Sequence, residues 1–156
     1  MTDPRKECKC TAGQIQKYLR RLSGPLLDRI DIHIDVPPVA IKELSQEAAS
    51  GESSKEVRQR VVAARDRQLQ RFQDLRGIYC NAQMGKKQIK QFCELNPEAK
   101  KLLEEAMLRL SLTARAYDRI RKVARTIADL TGSESIQVEH VAEAIQYRSL
   151  DRQLWL

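Results

Sequence analysis

The apolar positions of this chain change period. Ile15, Tyr18, Leu19 and Leu22 fall at offsets of 0, 3, 4 and 7, the spacing of one face of a short amphipathic helix. Gly24-Pro25 ends that pattern. Ile30, Ile32, Ile34 and Val36 then alternate with Asp31, His33 and Asp35, a period of two that predicts a strand with one apolar face. Pro37-Pro38 stops it, because proline brings no backbone donor to a ladder. Residues 39 to 53, with Ser45, Ser50, Gly51, Glu52 and Ser53, read as a loose connection with one weak turn around Ile41 to Leu44.

Beyond it the pattern is helical. Ser53 or Ser54 caps a helix to about Leu75, with Val57, Val61, Ala64, Gln68, Leu69 and Phe72 on or near its inner face and Gly77 as its stop. A shorter helix from about Lys86 to Cys93 uses Ile89, Phe92 and Cys93. Asn96-Pro97 opens the next, which runs to about Leu110 over Leu102, Leu103, Ala106 and Leu110. Another spans about Thr113 to Leu130 and stops at Gly132, with Ala116, Ile120, Val123, Ile127 and Leu130 as its inward stripe. The last covers about Val138 to Tyr147 over Val141, Ala142 and Ile145. The fold class expected is mainly α, a helical bundle preceded by a short helix and strand.

Composition agrees with this picture. The 156 residues are enough for one ordinary domain; 4% are aromatic and 31% charged, which favours helices around a modest core. A net charge of +7 suits an acidic partner such as nucleic acid or nucleotide phosphates, although it also describes an ordinary solvated surface. There is no apolar run of membrane-spanning length and no signal-peptide pattern, so a soluble, cytoplasmic protein is expected. The four cysteines, Cys8, Cys10, Cys80 and Cys93, are too irregularly spaced for a disulfide framework. Cys8 and Cys10 supply only half of a four-ligand metal site, so no metal is expected, while Cys80 and Cys93 read as partly buried small apolar residues.

Two arginines stand out. Arg29 lies at a helix-to-strand junction, where a tight turn presents a side chain from a rigid base. Arg115 lies in the first turn of a helix, with Arg119 and Lys122 at 4 and 7 residues beyond it on one stripe. A first-turn arginine sits beside unpaired backbone donors, an arrangement suited to phosphate, though a solvated role fits local physics as well. Arg58, Arg60, Arg65, Arg67, Arg71 and Arg76 mark the helix after Lys55 as either a solvated, salt-bridged face or a nucleic-acid contact. His33 reads as outward on the strand and His140 as a helix-surface residue. No Ser/His/Asp, Cys/His or paired-carboxylate constellation supports a self-contained enzyme.

The run Cys8-Lys-Cys, Tyr18-Leu-Arg-Arg-Leu-Ser-Gly-Pro-Leu-Leu-Asp-Arg-Ile-Asp-Ile-His, Tyr79-Cys-Asn-Ala, Leu112-Thr-Ala-Arg-Ala-Tyr-Asp-Arg-Ile, Val123-Ala-Arg-Thr-Ile-Ala-Asp-Leu and His140-Val-Ala-Glu-Ala-Ile-Gln-Tyr-Arg resembles the C-terminal third of the magnesium-chelatase-like AAA+ ATPases of the bacterial ComM type. The resemblance implies that residues 1–39 end a nucleotide-binding core and residues 40–156 form its helical lid. It implies an arginine finger at Arg29, acting on a neighbouring subunit's nucleotide, and a sensor-2 arginine at Arg115. ATP and magnesium are then the cofactors of the parent, with none expected tightly bound to this chain. Partners would be the other subunits of a homo-oligomeric ring and DNA, with no membrane. No GxxxxGK[ST] phosphate loop is present, so the chain is expected to be inactive alone. A basic helical nucleic-acid-binding module and the lid of a metal-chelatase motor stay open as alternatives.

Overall fold

The computed structural model describes residues 7–34, 36, 39 and 51–148. Seven α-helices occur in them: α1 (Ala12–Leu19), α2 (Gly24–Leu27), α3 (Ser54–Phe72), α4 (Lys86–Phe92), α5 (Pro97–Arg109), α6 (Ala114–Thr131) and α7 (Val138–Gln146). A 3₁₀ turn at Asn81–Gln83 joins α3 to α4. No helix among the described residues is long and apolar enough to cross a membrane.

Helix starts follow side-chain capping. Thr11, Ser53, Asn96 and Thr113 each accept a backbone N–H three residues on, and at Thr11 and Ser53 a Gln14 or Glu56 side chain answers the cap's own N–H. α6 ends at Gly132, whose φ of 79° is left-handed and whose missing Cβ would lie 3.1 Å from the Arg67 guanidinium. Arg121 caps the end of α4, donating to the carbonyls of Cys93 and Ile89. A cation there also meets the negative end of the helix dipole.

The core is the junction of α6 with α3, α4 and α7, with α5 on the far side of α7. Phe72, Leu103, Ile120, Ile136 and Val141 fill it, with Ala99, Ala124, Ala128 and Ala144 where backbones approach. Phe72 and Phe92 meet edge to face at 5.5 Å. Leu95 and Ile136 form an isolated parallel bridge between the α4–α5 and α6–α7 connections.

Several expectations are corrected. The inward stripe of α6 turns toward Ala124 and Ala128; Leu130 is exposed and Val123 only half-buried, because α7 packs on the alanine side. In α7 it is Ala144 rather than Ala142 that is fully buried. Val57, Val61 and Leu69 of α3 are exposed, since the core reaches only Ala64, Gln68 and Phe72. His140 is buried rather than on the surface. Its Nδ1 accepts the Gln137 N–H at 3.0 Å, leaving Nε2 to donate to Thr131 Oγ1 at 3.1 Å; the ring caps α7 and ties it to the end of α6.

The expected strand over Ile30–Val36 does not form among the described residues, which contain no strand at all. Alternation supplies a face, but a ladder needs a neighbouring strand. Instead the His33 N–H donates to the Tyr147 carbonyl at 2.9 Å. Asp31 and His33 are half-buried while Ile30, Ile32, Ile34 and Val36 are exposed, so His33 turns inward, against expectation. The stop at Pro37-Pro38 and the turn at Ile41 to Leu44 lie outside the described residues.

Buried charge stabilises the α3–α6 contact. Asp129 is fully buried and receives Arg71 at 2.5 and 2.8 Å, Asn81 at 2.7 Å and Arg125 at 3.2 Å. Burial opposes its ionisation, but these hydrogen bonds and the two guanidiniums outweigh it and hold the carboxyl below its ordinary range. Arg67 donates to the Asp129 carbonyl at 2.9 Å. The α3 arginines are thus not one solvated face, for Arg67 and Arg71 are structural. Arg60 pairs with Glu52 on the exposed side.

Candidate functional site

The site is built where the segment after α2 meets the start of α6. Pro25, at the first turn of α2, presets its φ, and the helix closes after one turn with Asp28 as C-cap. Arg29 follows, exposed, with Nη1 donating to the Pro25 carbonyl at 2.6 Å. On the facing side, Ser111 adopts a left-handed φ of 49°, an unusual conformation for a residue with a Cβ. The chain thereby leaves α5 and reaches the Thr113 cap within a few residues.

Asp28 is the hub. Its Oδ1 accepts the Thr113 hydroxyl at 2.8 Å and its Oδ2 accepts Arg115 Nη1 at 3.1 Å. Arg148 Nη2 lies 3.6 Å from Oδ1. One helical turn along α6, Arg119 pairs with Asp31, and Lys122 Nζ donates to the Ala82 carbonyl at 2.9 Å. Burial, then the neighbouring Arg119 charge, lowers the Lys122 pKa. The stripe of Arg115, Arg119 and Lys122 read from the sequence therefore exists, and its first two members hold the segment that carries Arg29.

A cleft of about 420 Å³ opens beside this hub, lined by Gly24, Pro25, Asp28, Ser111, Thr113 and Arg115 among others. The Arg115 side chain is 52% exposed, so it is reachable from solvent. Asp28 and Arg115 are the charged residues that line the cleft, with Arg29, Arg119 and Arg148 on or beside the same segment, and a guanidinium open to solvent there suits an anion. Asp28 already plays that part from within the chain, a carboxylate seated on a helix N-terminus.

The structure thus brings Arg115 to the cleft and Arg29 to the adjoining turn. Sequence reading missed Asp28, Asp31 and Arg148 as partners. Asp28, which adjoins Arg29 on the tight turn after Gly24-Pro25, was the detectable one. Cys8 and Cys10 are exposed, Cys80 is half-buried and Cys93 buried; all four thiols are free. No group of three or more His, Cys, Asp or Glu placed to hold a metal ion occurs among the described residues.

A helical lid with a solvent-open cleft beside the Asp28–Arg115 pair is the class of structure these elements define. The model described as "Magnesium chelatase, subunit ChlI C-terminal" matches residues 51–148, and that described as "Magnesium chelatase, subunit ChlI" matches residues 1–44. The chain belongs to this magnesium-chelatase family, as its C-terminal region. It is 44% identical over 94% of its length to the uncharacterized protein YifB of Escherichia coli and 43% identical over 90% to the competence protein ComM of Haemophilus influenzae. An uncharacterized protein of Mycobacterium bovis is 36% identical over 94% of the chain. The chain spans only about 28% of the length of these relatives.

Proposed function

We propose that this chain is the lid region, with the adjoining end of the core, of a ring-forming AAA+ ATPase that remodels DNA. In this reading Arg29 is an arginine finger reaching a neighbour's nucleotide, and Arg115 is a sensor-2 arginine that contacts phosphate. Residues 1–39 contribute the core end and residues 40–156 the lid. The task on DNA is what the resemblance to the ComM type implies, and the competence protein ComM of Haemophilus influenzae is among the relatives.

One observation carries the reading: a half-exposed arginine and an internal carboxylate share a solvent-open cleft at the N-terminus of α6. A phosphate arriving there replaces Asp28 as the partner of Arg115, exchanging one anion for another. Planar, fixed guanidinium donors stabilise the charge that develops as the γ-phosphate departs, and a finger is worth about 10³ to 10⁵ in rate. Bound magnesium would neutralise phosphate charge; the described residues hold no group of three or more His, Cys, Asp or Glu that could ligate it.

The test is ATP turnover by the ring and by this chain. Arg29→Ala should lower turnover in the ring about 10³- to 10⁵-fold, leaving a small measurable remainder with nucleotide binding largely retained, and the isolated 156-residue chain should not hydrolyse ATP. Sustained hydrolysis by the isolated chain, or lost nucleotide binding in Arg29→Ala, overturns the assignment.

A further inference from the structure

Arg148 is 1% exposed, and a guanidinium so deeply buried costs several kcal/mol unless it is closely partnered. Its partners come from a segment far away in sequence. Nη1 donates to the carbonyl of Ile30, 118 positions away, and Nη2 lies 3.6 Å from Asp28. The preceding residue adds a second tie, the His33 N–H donating to the Tyr147 carbonyl at 2.9 Å. Arg29 lies between the two residues that Arg148 touches. The chain on both sides of it is thus held: at the Asp28 carboxylate by Thr113 and Arg115, and at the Ile30 carbonyl and the His33 amide by Arg148 and Tyr147. The Arg29 side chain itself stays exposed.

Well-packed apolar residues often replace a buried ion without loss of stability, so burial of Arg148 is poorly explained by stability alone. Its guanidinium, by contrast, donates to the Ile30 carbonyl while lying within ion-pair range of the Asp28 carboxylate, so one side chain touches both neighbours of Arg29. We infer that Arg148 is a positioning residue for Arg29: it fastens the finger turn to the last lid helix, so that lid orientation sets where the finger points. This rests on the reading of Arg29 as a finger. Movement of the lid by a bound nucleotide would then move the arginine serving the next subunit, linking adjacent sites around a ring.

Two arms test it. In the ring, Arg148→Met should lower kcat about 100-fold, since a misplacement of about 1 Å costs that much. KM should stay within about twofold, the signature of an interaction made only in the transition state. Arg148→Lys should recover part of the rate, and the double variant with Arg29→Ala should be no slower than Arg29→Ala alone. In the 156-residue chain, Arg148→Met should speed hydrogen exchange at the His33 amide while the amides of α6 keep their protection. Multiplying losses in the double variant, a raised KM at unchanged kcat, or unchanged His33 exchange each overturns the inference. Turnover near the wild-type rate in Arg29→Ala overturns the finger reading and the catalytic role of Arg148 with it; His33 exchange then judges the structural tie by itself.

Discussion

Asp28 and Arg115, 87 positions apart in the sequence, meet at 3.1 Å where a one-turn helix ends and an 18-residue helix begins. The pair joins the two parts of the chain that the sequence marks separately, and half of it is open to solvent.

Asp28→Asn should weaken this junction modestly. The amide keeps an acceptor for Thr113 but loses the charge facing Arg115 and Arg148, at a cost of about 1 to 2 kcal/mol for charge-assisted hydrogen bonds partly screened by water. Urea denaturation of the chain measures it, and a loss above about 4 kcal/mol would contradict a partly exposed pair.

Asp129→Ala should be far more damaging. It removes the carboxylate that pairs with the Arg71 and Arg125 guanidiniums, and removing one partner of a buried pair costs about 3 to 5 kcal/mol. Asp129→Asn should cost less, because the amide oxygen can still accept. Equal stability of wild type and Asp129→Ala in chemical denaturation would refute the network.

The same carboxylate predicts an acid limb. Its folded pKa lies below the ordinary value of 3.8, so it contributes stability that is present above that value and is lost as pH falls through the lower folded one. Stability measured from pH 6 to about pH 2 should fall less steeply in Asp129→Asn than in wild type.

Thiol alkylation should separate the cysteines. Burial pushes the Cys93 thiol up to about 11, and the residue is fully enclosed, so it should stay unmodified at neutral pH in the folded chain. Cys8, exposed and with its pKa lowered by hydrogen bonding to Cys10, should react first. Mass spectrometry after brief iodoacetamide treatment reads the order.

Under the proposed reading of Arg115 as a phosphate-contacting sensor, Arg115→Lys in the ring should behave much like Arg115→Ala. A point charge lacks the fork that spans two oxygens, so turnover should drop at least about tenfold in both. A lysine variant with wild-type kcat would make geometry irrelevant at this position.

Much of the lid was legible because its signals are local. Asn96-Pro97 opens α5, Thr113 opens α6, and Gly132 with its positive φ closes it, each within a few residues of the sequence reading. The strand was not, because an alternating face says nothing about whether a neighbour exists to complete its ladder. Arg71 read as surface because its partner Asp129 lies 58 positions away. Periodicity likewise placed the α6 stripe near Val123 and Leu130, while the small side chains of Ala124 and Ala128 decided the true contact. At the site, the spacing of Arg115, Arg119 and Lys122 was visible, but the acids that the two arginines meet, and the Ala82 carbonyl that Lys122 meets, lie far off in the sequence.

The bridge between Leu95 and Ile136 joins two connections that would otherwise slide past each other. Because it ties the loop ahead of α5 to the loop ahead of α7, and Ile136 is packed into the core, neither loop can absorb strain separately. The start of α5 and the start of α7 therefore share one anchor, and a shift at either is felt at the other.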